Sequence, residues 1–242
     1  MIHARPRALV LASIGLIAAG LLVLAAVRRE AASLPPRPPD ARPALLLLTS
    51  LPLMFGENFS LEEGGSAALE ALASRYRVIP ISVTDGSELA KGSLLLMAHP
   101  AAQTAENLVA LDQWVGRGGH LLLLADPMLE WPSKLPLGDP LRAAPMFADT
   151  GLLAHWGLRL EGPEARGPAL RKLGGYTIKA GSPGALFGRC PISANRLVAV
   201  CNIGKGKARI VADADLLDPA DMGEGAAHNL DAVLLELRAL ER

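Results

Sequence analysis

The chain has 242 residues, of which 50% are hydrophobic but only 4% are aromatic. This composition predicts an aliphatic core, which favours layers of sheet and helix. Lysine plus arginine and aspartate plus glutamate each number 24, so there is no broad basic surface, and nucleic acid is excluded as an expected partner. About 200 residues remain beyond an N-terminal membrane segment and linker, which predicts one domain.

The N-terminal region contains a candidate membrane span. Residues 8–27 carry no charge and lie between Arg7 and Arg28, and as a helix they would span about 30 Å of hydrocarbon. A cleaved signal peptide is the alternative, although its apolar region is usually shorter. We therefore predict a cytoplasmic leader at residues 1–7 and a transmembrane helix at residues 8–27.

Basic residues flank this segment on both sides, so charge alone does not set its orientation. The short leader and the two cysteines favour a single-pass inner-membrane protein with a periplasmic domain. Five prolines occur between Leu34 and Pro43, which favour extended polyproline structure. Residues 28–43 are thus predicted to form a linker, either a semi-rigid spacer of roughly 30 Å or an unstructured segment of similar reach.

The predicted domain covers residues 44–242 and begins with alternating strands and helices. Continuous apolar runs predict buried strands at residues 44–50, 93–98 and 121–125, with another strand at 76–83. Ser60 and Glu63 fit a capping box before one helix, and Thr104 is a predicted N-cap of the next. This alternation predicts parallel strands joined by right-handed crossovers.

The second half of the domain has a weaker pattern. Residues 126–175 are rich in proline and glycine and are predicted to be an insertion or cap, with a short helix near residues 147–156. Residues 197–203 and 208–212 predict an antiparallel hairpin, and a final amphipathic helix follows. The predicted fold class is therefore α/β, with a mostly parallel sheet flanked by helices, an antiparallel C-terminal hairpin and one N-terminal transmembrane helix.

Three segments resemble gliding-motility-type ABC-transporter auxiliary domains. They are LLLMAHP (94–100) with LDQWV and GGHLLLLADP (111–127), LLAHWGL (152–158), and GKGKARIVADAD (204–215). The resemblance implies a flavodoxin-like fold related to class I glutamine amidotransferases, used as a binding or assembly module beside an ABC-type export system. Active amidotransferases carry a cysteine nucleophile on the turn after the fourth strand. Here that turn reads Asp126-Pro127-Met128, which provides no thiol and no N–H at Pro127 for an oxyanion hole.

The two cysteines are candidates for a disulfide. Cys190 and Cys201 are equidistant from the midpoint between Asn195 and Arg196, so a hairpin centred there would place them opposite each other, within disulfide range. Two free core thiols and a catalytic thiol are the alternatives. The bridge is the favoured interpretation.

Acidic residues follow the last strand at positions 213, 215, 218 and 221. Alternate carboxylates can bind Ca²⁺ or Mg²⁺, but the spacing lacks the glycine and glutamate of an EF-hand loop. Such residues also cap turns and helices. The five histidines show no zinc-binding spacing. We predict capping, with no metal and no cofactor.

The ligand or partner candidates are Glu57, Asn58, His99 and Asp126, which follow the first, third and fourth strands, where doubly wound sheets place ligands. Together with the resemblance, they predict a membrane-anchored, non-enzymatic auxiliary subunit. Its expected partners are the membrane and an ABC-transporter permease or another membrane subunit. The alternatives are a hydrolase that uses Glu57, His99 and Asp126, and a periplasmic small-molecule sensor.

Overall fold

The first half of the domain alternates strand and helix, as predicted. The computed structural model describes residues 33–55 and 65–241. The strands of this half are β1 (Ala44–Thr49), β2 (Arg77–Pro80), β3 (Leu94–Ala98) and β4 (His120–Leu124), and the helices are α1 (Ala67–Ala73), α2 (Gly86–Leu89) and α3 (Ala105–Gly116). The leucine runs of β1, β3 and β4 are almost wholly buried, which is typical of inner strands covered on both faces.

Local hydrogen bonds set where the helices begin. The hydroxyl of Thr104 accepts a hydrogen bond from the Asn107 N–H at 3.3 Å, so the predicted N-cap of α3 is confirmed. Helix α1 begins after Ser66, whose hydroxyl accepts from the Leu69 N–H at 3.1 Å. The capping box predicted at Ser60 and Glu63 lies outside the described residues.

The second half contains more strands than the sequence predicts. Its elements are α4 (Leu152–His155), β5 (Leu158–Glu161), β6 (Ala169–Leu173), β7 (Tyr176–Ala180), β8 (Ala185–Gly188), β9 (Val198–Ile203), β10 (Gly206–Val211), α5 (Pro219–Met222) and α6 (Asn229–Leu240). Strands β9 and β10 form the predicted antiparallel hairpin. The predicted insertion, residues 126–175, is too short, because β5 pairs with β8 and β6 with β7 in two small separate sheets. The chain returns to the main sheet only at Val198.

The main sheet has the strand order β2-β1-β3-β4-β10-β9, in which only β9 is antiparallel to its neighbour. The first five positions follow the 2-1-3-4-5 order of one class of doubly wound sheets. Helix α1 contacts α6, and α2 contacts α3. Since the right-handed crossovers from β1 to β2 and from β3 to β4 run in opposite directions, these two pairs cover opposite faces of the sheet. The predicted α/β class with a mostly parallel sheet is confirmed.

The proline-rich segment from Leu34 to Pro43, here called the strap, lies against the domain. Leu34 is buried, and the Arg37 guanidinium pairs with the Glu241 carboxylate at 2.6 Å. The Arg37 N–H also donates to the Ser74 carbonyl at 2.9 Å. The predicted semi-rigid or unstructured linker is therefore wrong over the strap, because these bonds hold it against the ends of α1 and α6. The compact unit begins at Leu34 rather than at residue 44.

The predictions of a membrane span and of a disulfide have different outcomes. No helix within residues 33–55 and 65–241 is long and apolar enough to cross a membrane, and the predicted span at residues 8–27 lies outside that part of the chain. The predicted disulfide is present: Cys190 and Cys201 are bonded, with Cα atoms 5.1 Å apart. The bridge between Ile192 and Ala199 has the register that the cysteine spacing predicts. The first arm of this hairpin is otherwise irregular, because β8 pairs with β5 instead.

Removing the disulfide is expected to destabilise the domain measurably. The bond joins residues 11 positions apart, and closing a loop of that length raises the free energy of the unfolded chain by about 3 kcal/mol at 25 °C, because it lowers that chain's entropy. Replacing both cysteines by alanine should therefore lower the free energy of unfolding by roughly this amount in a denaturant titration. The oxidised wild-type protein is the control, and identical midpoints with and without reductant would contradict the assignment.

Candidate functional site

Polar residues follow the ends of three neighbouring strands at the same edge of the sheet. Ala98 of β3 and Val211 of β10 both lie in register with Leu124 of β4. The residues that follow these strands include His99, Asp126 and Asp213. Because the strands are parallel, their carboxyl ends meet, and doubly wound sheets bind ligands at this edge.

His99 is held within the protein at this edge. Its side chain is 1% exposed, and its Nε2 donates to the Ala144 carbonyl at 2.8 Å. Its backbone carbonyl accepts from the Ser50 hydroxyl at 2.5 Å, and its φ of 45° lies in the left-handed region. Burial lowers the pKa of His99 below its usual value. The ring is therefore neutral at pH 7 and ties the insertion to the sheet.

Asp126 connects three segments of the chain. Its carboxylate is fully buried and accepts hydrogen bonds from the Met128 and Ala214 N–H groups, each at 2.8 Å. Its backbone carbonyl accepts from the Phe147 N–H at 2.6 Å. One residue thus fixes the turn after β4, the turn after β10 and the far end of the insertion's first loop.

Asp213 and Asp215 act in the same way. Asp213 accepts from the Gly181 N–H at 2.9 Å and from the Leu216 N–H at 3.0 Å. Asp215 accepts from the Glu130 N–H through both oxygens, at 3.0 and 3.1 Å. Carboxylate oxygens of Asp126, Asp213 and Asp215 lie within 4.8 Å of one another. We call these three residues the aspartate cluster.

The aspartate cluster is electrostatically costly. Burial raises the pKa of all three carboxyls, most strongly that of Asp213, where the neighbouring carboxylates add to the effect; the pKa of Asp215 is raised to about 7. The cluster could attract a cation, but hard cations take roughly six or more oxygen ligands. The carboxylates already accept N–H groups from five residues of the surrounding loops. Its chemical role in this structure is therefore to hold those loops.

The predicted capping role agrees with these contacts, since Asp218 likewise accepts from the Asp221 N–H at 3.3 Å. Sequence reasoning missed that Asp126 joins the group. The sequence shows acidic turns after two apolar strands. It does not show that these two strands, β4 and β10, are neighbours in the sheet.

Two of the four predicted ligand or partner residues lie within the described chain, and these two do not form an open site. His99 and Asp126 lie at one edge, but both are buried and bonded within the protein. Glu57 and Asn58 lie outside the described residues. The loop after Asp126 covers the position where a doubly wound sheet would hold a ligand, because Ala144 and Phe147 bond to His99 and Asp126.

Three large apolar side chains of this covering loop are exposed. Leu137 is 72% exposed, Leu141 54% and Met146 61%. We call these three residues the cap surface. Leu141 also lines a small recess with Pro52 and Pro145, so the cap surface adjoins the loop after β1, where Phe55 is 46% exposed. Neighbouring exposed apolar residues of this kind are typical of interaction sites.

Just over half of the chain matches a known protein family. The sequence profile of a family described as "ABC-type uncharacterized transport system" matches residues 42–164, just over half of the chain. The chain belongs to this family. The matched part includes β1 to β5, His99 and Asp126, and it confirms the resemblance to ABC-transporter auxiliary domains. Among curated proteins, none matches the chain.

Solved structures match the chain at low sequence identity, with TM-scores below 0.5. An exo-β-1,4-mannosidase from Opitutaceae bacterium strain TAV5 has a TM-score of 0.49 and 14% identity, with 82% of this chain and 36% of that chain covered. The β-galactosidase Gan42B has a TM-score of 0.48 and 12% identity, with 85% and 30% covered. The cytoplasmic protein STM3548 from Salmonella typhimurium has a TM-score of 0.47 and 10% identity, with 82% and 98% covered. The chain spans about a third of the length of the two glycosidases.

The raised pKa of Asp215, about 7, predicts how stability depends on pH. In the unfolded chain this carboxyl loses its proton near pH 4, whereas in the folded chain it keeps the proton until about pH 7. The folded state therefore binds more protons across that range, and stability falls as pH rises from about 4 to 7, with a slope of up to about 1.4 kcal/mol per pH unit. In Asp215→Asn this contribution disappears, so the decline should be shallower.

Thermal unfolding of wild type and Asp215→Asn between pH 5 and 8 measures the difference. Asp218→Asn is the matched control, because Asp218 lines the same cavity as Asp215 but is only half-buried. Parallel profiles for wild type and Asp215→Asn would show that Asp215 does not titrate in this range.

Proposed function

We propose that the chain is a membrane-anchored, non-enzymatic auxiliary subunit of an ABC-type transport system, and that it binds a membrane subunit of that system through the cap surface. Membership of the transport family carries the association with such a system. The cap surface is proposed as the binding site because its apolar residues are exposed. The anchor and the absence of catalysis are further parts of the proposal.

The turn after β4 supports a role without catalysis. A nucleophile at that turn would need an exposed side chain beside an activating base and N–H donors for the oxyanion. Asp126 is instead buried and accepts two backbone hydrogen bonds, and Pro127 has no N–H. The hydrolase alternative would be favoured if an activity of the pure protein disappeared in Glu57→Gln.

The strand order of the main sheet supports the same proposal. The strand order 2-1-3-4 with a fifth parallel strand is the flavodoxin-like order, so we infer the amidotransferase-like relationship that the sequence motifs imply. In this arrangement the usual ligand position is covered by the protein's own loop. Recognition of a partner then takes place on the outside of that loop.

The apolar run at residues 8–27 supports the anchor, since its length equals that of a membrane-spanning helix. The Cys190–Cys201 disulfide supports placement of the domain in the periplasm, because structural disulfides persist in oxidising compartments and are rare in the cytosol. An inner-membrane protein with its domain outside the cytoplasm satisfies both observations.

Charges placed on the cap surface should disrupt partner binding. In Leu137→Asp with Leu141→Asp, a carboxylate replaces an apolar side chain at two positions that the proposal buries in the complex, and burying an unpaired charge is unfavourable. We expect recovery of the transport system's permease with the tagged full-length chain, purified from its own membranes, to fall by roughly tenfold or more.

Val109→Asp is the matched control, because Val109 is 57% exposed on α3, away from the covering loop. It makes the same chemical change on an exposed apolar residue and should leave recovery unchanged. Equal recovery with all three proteins would refute the cap surface as the binding site. Failure to recover any transport subunit with the wild type would refute the proposed association itself.

The anchor and its orientation have a separate test. In spheroplasts, added protease should degrade the domain while cytoplasmic marker proteins remain intact, and alkaline carbonate should leave the full chain in the membrane fraction. Removal of residues 8–27 should release the chain from that fraction. Protection of the domain from protease in intact spheroplasts would place it in the cytoplasm instead.

A further inference from the structure

A second surface, whose lining includes none of the aspartate cluster, forms a basic groove. It is a shallow, open depression of about 500 Å³ between the β6–β7 hairpin and the turn that precedes β9. The residues that line it are Leu170, Arg171, Lys172, Thr177, Ala194, Asn195 and Arg196. Three of them are cationic and none is acidic, although the chain as a whole has equal numbers of acidic and basic residues.

The polar groups of the groove are mainly hydrogen-bond donors. Arg171 uses an Nη1 N–H on the Leu170 carbonyl, and the Lys172 ammonium donates to the Thr177 hydroxyl at 2.6 Å. Each cation keeps further N–H groups beyond these bonds. The Thr177 hydroxyl can still donate its hydrogen. A lining of donors with few free acceptors fits a ligand that only accepts hydrogen bonds.

The cations are not neutralised nearby. Within the described part of the chain, no carboxylate forms an ion pair with Arg171, Lys172 or Arg196. Glu236 lines an adjoining surface with Lys172, but it pairs with Arg209 and accepts from the Gly174 N–H. Arg171, Lys172 and Arg196 therefore line the groove without a carboxylate partner in the described chain.

The wall that carries Arg196 is rigid. The Asn195 side chain accepts from the Ser193 hydroxyl at 2.6 Å and donates to the Lys172 carbonyl at 2.9 Å, so it ties the turn to the β6–β7 hairpin. The Arg196 guanidinium lies 4.3 Å from the centre of the Phe187 ring, a cation–π contact. The disulfide joins the two arms of the same turn. A ligand would thus meet groups that are already in position, which reduces the entropy cost of binding.

We infer that this groove binds a phosphate group, presented either as a free phosphate ester or as the headgroup of a phospholipid. Guanidinium groups pair with phosphate oxygens through two parallel N–H bonds, and both a phosphate monoester and a phosphodiester carry the negative charge that the cations of the groove attract. Leu170, which is 63% exposed at the rim, offers apolar contact to the organic part of such a ligand. This site is independent of the cap surface and of the proposed transport role.

Calorimetric titration of the full-length chain in a neutral detergent tests the inference. The probes are inorganic phosphate and soluble dihexanoyl phosphatidylglycerol, and both should bind saturably and more weakly as salt increases. If the lipid binds more tightly than inorganic phosphate, the natural ligand is a phospholipid headgroup. If inorganic phosphate binds equally well or more tightly, the natural ligand is a free phosphate. If neither probe binds, the inference is wrong.

Arg171→Gln and Arg196→Gln should each weaken binding by about tenfold or more, because each removes a charged partner of the phosphate. Arg171→Lys keeps the charge and should restore part of the affinity. Arg159→Gln is the matched control, since Arg159 also lies over Phe187, at 5.1 Å, but pairs with Glu161 outside the groove. Thermal unfolding of each variant shows whether it folds. Loss of affinity that is equal in Arg159→Gln, or absent in both groove variants, would overturn the assignment.

Discussion

The parallel register between β4 and β10 is the constraint on which the carboxyl edge depends. It brings Asp126 and Asp213 to neighbouring strand ends, and Asp215 follows one turn later. Backbone N–H groups in buried loops must find acceptors, and these carboxylates supply them to the turns after both strands and to the insertion. The repulsion between buried carboxylates is thus offset by the hydrogen bonds that organise everything above the sheet.

This arrangement changes where recognition can occur. In an open doubly wound sheet, a ligand would enter between the strand ends, but here the loop bonded to His99 and Asp126 covers that position. His99 and Asp126, which the sequence offers as candidate ligand residues, are thus bonded to the protein's own backbone. The two surfaces proposed for binding, the cap surface and the basic groove, differ in chemistry and would suit different partners.

The sequence predicted the parts of the fold that depend on local patterns. Continuous leucine runs identified β1, β3 and β4, Thr104 identified the start of α3, and the equal spacing of the cysteines identified the disulfide. The short strands β5 to β8 were missed, since each has four or five residues and most alternate between exposed and buried positions without a long apolar run. The aspartate cluster was missed because it depends on strand order. The strap was mistaken for a semi-rigid or unstructured linker because proline content reports on backbone conformation and not on the salt bridge at Arg37.

The position of the strap limits how far the domain can travel. It is held against the ends of α1 and α6, so for an anchored chain only residues 28–33 separate the domain from the predicted span. Six residues reach at most about 20 Å when fully extended. Under the proposed anchoring, the domain would search for its partner by lateral diffusion in two dimensions, and its high local concentration beside the bilayer would let even a weak contact be populated.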